Sequence, residues 1–490
     1  MMADRPPTTL DPEDLQSWQE LRGFGHRILD EMFDHLEGVR ERPVWQPITE
    51  SAREALRQPL PRGAGDISTA WRSLQDNVIP YTAGNTHPGF MGWVQGAGTP
   101  VGMLAELIAG GLNANVGGRN QAPVELEHQV SSWMAELFGF PQAARGIFVT
   151  GTSIANFMGV VVARTARLGR AVRARGLGHD EQTLRAYTSS EAHGCIAKAM
   201  DMAGFGTDAL RRIAVDGAGR MRMDDLRAQV EADRSQGLQP FLVVGTAGTV
   251  NTGAIDPLPE LADVAREQDL WLHVDGAYAA LGMLAPDVAP LLRGIERADS
   301  LAFDFHKWGQ VPYDAGYFMA RDGADMLETF AAPAAYLRRA ERGLAAGDAW
   351  PCDLGPDLSR GFRALKTWLT FQVLGADAIG RSISNTCALA RRLADRVALE
   401  PELELLAPVA LNVVCFRYVC ADPERVNREI VLRLYDEGRV APSSTELDGR
   451  YAIRAAIVNH RTSEAEIDLL VDAVLNAGRA ITDSSNESPA

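Results

Sequence analysis

The feature that most constrains the fold is an alternation of short apolar runs with amphipathic stretches through the middle of the chain. Gly146–Thr150, Ala186–Ser189, Pro240–Val244, Leu270–Val274, Ser300–Phe305 and Gly316–Ala320 read as strands. Between them, Ile154–Leu168, His193–Met202 and Leu258–Gln268 carry apolar residues at helical spacing. Near-continuous apolar strands are buried on both faces, and strand–helix–strand units close by right-handed crossovers. The expected fold class is therefore α/β, with a mainly parallel central sheet covered by helices.

The flanks read differently. Asp11-Pro12 looks like an N-cap and first helical position, followed by Leu21, Ile28, Leu29, Met32, Phe33 and Leu36 on one helical stripe that needs a partner surface. Pro43 to Pro61 reads as a proline-broken connection. From Tyr81 to Gly118 the chain is rich in glycine and asparagine, a composition suited to loops where backbone approaches a ligand. A helix with Leu126, Val130, Trp133, Met134 and Leu137 on its apolar face follows. Beyond Gly375 come an arginine-rich helix (Ala388 to Val397) and the short strands Val413–Tyr418 and Ala452–Val458, the pattern of a small α+β domain. The expected organisation is a helical arm (1–85), a large domain (86–375), a small C-terminal domain (376–480) and a polar, disordered tail (481–490).

The formal charge of −16 argues against nucleic acid or an anionic membrane as partner. Any anion-binding site must therefore be built locally. The five cysteines (Cys195, Cys352, Cys387, Cys415, Cys420) are scattered without a C-x-x-C, which argues against a disulfide framework or a zinc site. No metal is expected, and a reducing, cytoplasmic setting fits. Met1 to Pro7 has no apolar h-region, and no apolar run approaches membrane-spanning length.

In open parallel sheets, ligands sit beyond the carboxyl ends of the strands, and the chain's notable polar residues gather at that edge. Asp275 ends one strand, Lys307 follows the next, Thr249 follows a third, and Gly151-Thr152-Ser153 opens a helix. Taken singly, each has an ordinary reading as a cap, a turn or a backbone-satisfied carboxylate. Taken together they describe an anion cradle, a carboxylate, an imidazole and an amine. The cradle is neither a Walker A loop nor G-x-G-x-x-G, and G-x-S-x-G is absent. A lysine at the end of a buried strand is costly as a cation, and condensation with a carbonyl removes that cost. The set suits pyridoxal phosphate: helix-start amides for the phosphate, Lys307 for the aldehyde, Asp275 for the ring nitrogen.

The segments Ser190-Glu191-Ala192-His193, His273-Val274-Asp275-Gly276-Ala277-Tyr278 and Asp304-Phe305-His306-Lys307-Trp308 resemble the fold-type I, group II amino-acid decarboxylases, among them the aromatic-amino-acid, glutamate and cysteine-sulfinate enzymes. The resemblance implies a large cofactor-binding domain in which Lys307 carries the cofactor and Asp275 holds its ring nitrogen. His193 would stack on one face of the ring and Ala277 on the other. Thr152 and Ser153 would hold the phosphate, with His306 nearby and Thr249 a further contact. Arg454 matches an arginine near the substrate carboxylate. Tyr336 falls where the family has a mobile-loop tyrosine that returns a proton to the α-carbon, and Arg342 to Gly347 behind it fits a flexible lid.

The implied reaction is decarboxylation of an L-amino acid to its amine and carbon dioxide in a homodimer, the Tyr336 lid reaching the neighbouring site. Trp93 could stack an aromatic substrate, which slightly favours that class. Asn113-Ala114-Asn115 and Ala122-Pro123-Val124 look more like the acidic-substrate branch, so an acidic amino acid is the alternative, with Asn115 at the substrate. An aldehyde synthase is a second alternative, which Tyr336 argues against. The retained lysine, aspartate and histidine argue against a catalytically silent scaffold. One residue departs from the pattern: Asp304 stands where many relatives carry asparagine, and a carboxylate beside a phosphate dianion is repelled.

Overall fold

The computed structural model describes residues 9–178, 183–332, 339–347 and 349–486, with side chains to 483. They divide at Pro43–Val44 into two compact units. The first is built on the helix Leu15–Glu37, whose N-cap is Asp14 rather than Asp11. Asp14 has extended backbone, and its carboxylate accepts from Ser17 N at 2.7 Å, the reach an N-cap side chain needs. The Asp11 amide instead bonds Thr9 Oγ1. Of the helix's apolar stripe only Phe24 is buried, while Leu15, Trp18, Leu21 and Phe33 stay exposed.

In the second unit, the segment expected as a bare connection holds the helix Glu50–Leu56. No proline lies between Pro47 and Pro59, and Thr49 caps the helix by accepting from Ala52 N at 3.2 Å. The strands among the described residues are β1 (Phe90–Met91), β2 (Arg145–Val149), β3 (Leu184–Ser189), β4 (Leu210–Ile213), β5 (Gln239–Thr246), β6 (Trp271–Asp275), β7 (Ser300–Asp304), β8 (Gly316–Ala320), β9 (Leu403–Leu405), β10 (Val413–Tyr418), β11 (Ala441–Leu447) and β12 (Arg450–Ala456). Seven form one sheet in the order β2-β8-β7-β6-β5-β3-β4. The sheet is mainly parallel, as expected; β8 alone runs against its neighbours β2 and β7.

The helix Thr152–Leu168 follows β2 and packs on β7 and β8. Its start is fixed by a close approach: a Cβ on Gly316 would fall 2.3 Å from Gly151 Cα, so β8 meets the helix entry only with glycine there. Below the helix entry, the rings of Phe148, Phe303, Phe305 and Tyr317 pack with centroids 5.0–5.6 Å apart and leave the strand ends no slack.

The second sheet has the order β1-β11-β12-β10-β9 and is covered by the helices Ala376–Leu399, Pro423–Glu437 and Glu464–Asn486. β1, from the glycine-rich N-terminal stretch, joins it in parallel through Phe90 opposite Ala441. The last helix continues past Thr482, where the sequence suggested a polar tail.

Candidate active site

The carboxyl ends of β5, β6 and β7 lie in register, Thr246 opposite Asp275 and Asp275 opposite Ala302. Above them opens a cavity of about 430 Å³. Its lining brings together Trp93, Thr152, Ser153, His193, Asp275, Ala277, His306 and Lys307 from the sequence-derived set. Thr246, Cys195 and Tyr313 also line it and were not among the expected site residues.

Three expected residues lie elsewhere. Thr249 is fully buried in a turn, where its hydroxyl accepts from Ala254 N at 3.0 Å. β5 runs on to Thr246, past the Val244 at which the apolar run ends, so Thr246 takes the position at the strand end. Asn115 lines a separate cavity of about 450 Å³ with Arg119, Gln121 and Leu358. Its Oδ1 is taken by Gly117 N and Arg360 N, each at 3.0 Å. Arg454 is buried, and its guanidinium donates to the carbonyls of Gly92, Val250 and Asn251 and to Ser443 Oγ. It pins the segments bearing Trp93 and Val250 and is absent from the described cavity lining. Tyr336 lies outside the described residues.

Asp275 is held by neutral donors: Asn156 Nδ2 to Oδ2 at 3.0 Å and Ala277 N to Oδ1 at 3.1 Å. Burial pushes its carboxyl up, and the Lys307 charge opposes that rise. Behind Asn156 stands a directional chain. Asn156 Nδ2 is committed to Asp275, so Asn156 Oδ1 needs a proton from His273 Nε2. The neutral ring's Nδ1 accepts at 2.8 Å from the Ser300 hydroxyl, whose oxygen accepts from Trp271 Nε1 at 2.8 Å. His273 Nε2 then carries the proton and donates to Asn156 Oδ1 at 2.8 Å, which orients the amide toward Asp275. His273 is fully buried, and burial depresses it to about 3, so it stays neutral. The ring fits because position 159 is glycine; a Cβ there would lie 2.6 Å from His273 Cε1.

Asp304 is held by charge. Its Oδ1 accepts from Thr152 N at 2.8 Å, and its Oδ2 lies 3.0 Å from Lys307 Nζ and 3.5 Å from His306 Nε2. His306 Nδ1 accepts from Ala315 N at 3.0 Å, so the neutral ring carries its proton on Nε2, toward Asp304. Burial lowers His306, and Asp304 offsets part of that. Tyr313 packs on the same imidazole, centroids 4.2 Å apart.

A model of the pyridoxal-dependent decarboxylase conserved domain matches residues 50–419. The chain belongs to that family. An aromatic-L-amino-acid decarboxylase of Bacillus atrophaeus is 32% identical over 467 residues, covering 93% of this chain and 95% of its own. A histidine decarboxylase of Drosophila melanogaster is 31% identical, covering 92% of this chain and 54% of its own. Among solved structures, Oryza sativa TDC with PLP and tryptamine shares the fold at a TM-score of 0.88 and 24% identity, covering 96% of this chain and all of that one. Mouse CSAD does so at 0.83 and 25%, covering 92% and 98%.

The cavity of this decarboxylase-family chain fits the family's cofactor chemically. Thr152 Oγ1 and Thr246 Oγ1 are buried, on residues that line the cavity, without a hydrogen-bond partner among the described residues. Buried hydroxyls are seldom left unpaired, and these stand where a polar ligand would satisfy them.

Proposed function

We propose that the chain is a pyridoxal-phosphate-dependent decarboxylase of L-amino acids, with an aromatic side chain preferred. The observation that carries the reading is the convergence of Lys307, Asp275, two imidazoles and unpaired buried hydroxyls on one cavity. In this reading Lys307 supplies the amine for the cofactor aldehyde, and Asp275 the carboxylate for its ring nitrogen. Thr152 and Ser153, at the helix start, would take the phosphate, with His306 beside them. His193 and Ala277, both in the cavity lining, would contact the ring. When bound, pyridoxal phosphate supplies the covalent hold on the substrate amine and the electron sink for the breaking bond. The chain's own work is orientation: the Asn156 and Ala277 donors fix Asp275, and Arg454 fixes the rim that carries Trp93. Tyr336, from the segment before Arg339, is the proposed proton donor to the α-carbon, with His193 as its aid.

The substrate class follows from charge. Trp93, Tyr278 and Tyr313 line the cavity, and besides Lys307 its described lining holds no lysine or arginine. Two buried aspartates already stand there, so an acidic side chain would enter without a compensating cation. The 32% identical relative is itself an aromatic-L-amino-acid decarboxylase. The unburied stripe Leu15, Trp18, Leu21 and Phe33 supports a homodimer, and the unpaired thiols suit a reducing cytoplasm.

The test is direct. Borohydride reduction of the purified protein, digestion and mass spectrometry should place a pyridoxyl group on Lys307. A screen of carbon dioxide release should rank aromatic L-amino acids above glutamate and cysteine sulfinate, with the protein eluting as a dimer. An adduct elsewhere sinks the cofactor assignment; an acidic amino acid at the head of the ranking sinks the substrate assignment; a fully active monomer sinks the homodimer.

A further inference from the structure

The helix Thr152–Leu168 begins with Gly151 at its N-cap, a residue with no side chain to satisfy the first amides. That place is taken from outside the helix. Asp304, at the end of β7 and 2% exposed, accepts from Thr152 N at 2.8 Å. The same carboxylate takes the Lys307 ammonium at 3.0 Å. The anion-favouring end of the helix and Lys307, the one lysine in the described lining, are thus both engaged by an anion belonging to the protein. Asp304 also faces the His306 imidazole and, more remotely, the Tyr313 phenol. The described cavity lining holds no arginine to offset it.

We infer that Asp304 limits how tightly this chain holds the phosphate end of its cofactor; the inference rests on the cofactor reading above. A phosphate at the helix start must share the Thr152 amide with a carboxylate and meet its charge at close range. It also finds the Lys307 ammonium already neutralised. Like charges a few ångström apart in a partly desolvated cavity disfavour each other strongly. Asparagine at 304 keeps the shape and an oxygen for Thr152 N, removes the charge, and turns an NH2 donor toward the cavity.

The experiment compares pyridoxamine 5′-phosphate with pyridoxamine, which differ by the phosphate and lack the aldehyde that would react with Lys307. Both are titrated into cofactor-stripped, full-length wild type and Asp304→Asn and followed by fluorescence. The ratio of the two dissociation constants isolates the phosphate's contribution. Asp304→Asn should tighten the phosphorylated ligand by about tenfold and leave the unphosphorylated one unchanged. Asp304→Ser, which also removes the charge, should move the ratio the same way and serves if the amide variant folds poorly. An unchanged ratio in the folded variants makes Asp304 a plain helix cap and overturns the inference. A weaker hold on the phosphorylated ligand overturns it too. Borohydride trapping on the wild type separates the two failures: an adduct on Lys307 with an unmoved ratio sinks this inference alone, whereas no adduct sinks the cofactor reading and this inference with it.

Discussion

At the carboxyl ends of the adjacent strands β6 and β7, two buried aspartates are kept in opposite ways. Asp275 is surrounded by neutral dipoles, the Asn156 amide and the Ala277 N–H, with the neutral His273 locked behind them. Asp304 is surrounded by a lysine, an imidazole and a helix start. Dipoles fixed by a hydrogen-bonded chain cannot leave, so the first carboxylate is held in one orientation whatever binds. Charge partners can be taken by an incoming ligand, so the second depends on what occupies the cavity. The first arrangement suits a permanent electrostatic anchor, and the second a competitor.

The largest effect expected from this contrast is at the anchor. Asp275→Asn removes the charge and keeps the shape, and should lower the decarboxylation rate by about 10²–10³-fold, in the range for loss of a preorganised electrostatic contact. Thermal stability should hold or rise, because the desolvated carboxylate is gone. A variant within threefold of wild type in steady-state assays would remove Asp275 from the anchoring role.

The next effect comes from the chain behind Asp275. His273 is depressed to about 3 in the folded protein, against about 6.5 when unfolded. The unfolded state therefore binds the proton first, and stability falls as pH drops from about 6.5 toward 3. Between pH 6.5 and 4.5 the loss from this one group is about 2 kcal/mol. His460, lowered to about 4, acts in the same direction, and Asp256, raised to about 6, acts against it. Both remain in His273→Gln, so the difference between its urea-unfolding curves and those of wild type across this pH range isolates His273. Parallel pH dependences would mean that the chain does not hold His273 neutral.

The strands of the large sheet were legible because burial on both faces makes them continuous apolar runs. β4 was not: Leu210-Arg211-Arg212-Ile213 lies at the sheet edge and carries two arginines. β11, Ala441-Pro442-Ser443-Ser444-Thr445-Glu446-Leu447, holds a proline and polar residues, and only pairing with β1 and β12 makes it a strand. Lys307 and Asp275 were legible as chemistry displaced to strand ends. Asn156 and Ser300 were not, since they sit on a helix and a strand start, each ordinary in its local context. His273, an imidazole inside the apolar run Trp271–Val274, was the available signal, because a buried polar ring must have partners. Arg454 showed its type but not its use: four of its neighbours' oxygens already claim the guanidinium.

The smallest effect separates two threonines that the sequence could not tell apart. Thr246 presents an unpaired hydroxyl to the cavity beside Asp275, while the Thr249 hydroxyl closes a turn by accepting from Ala254 N. Thr246→Val removes a hydroxyl that no described group of the protein bonds, so the unfolding midpoint should stay level or rise while the cofactor dissociation constant grows by roughly threefold to tenfold, as for one lost neutral hydrogen bond. Thr249→Val strands a buried amide, and should cost about 1–3 kcal/mol of stability with the cofactor constant little changed. The two variants are thus expected to fail in opposite assays. If Thr249→Val weakens cofactor binding at unchanged stability and Thr246→Val does not, the cavity is entered from the turn side, and the end of β5 is no longer its floor.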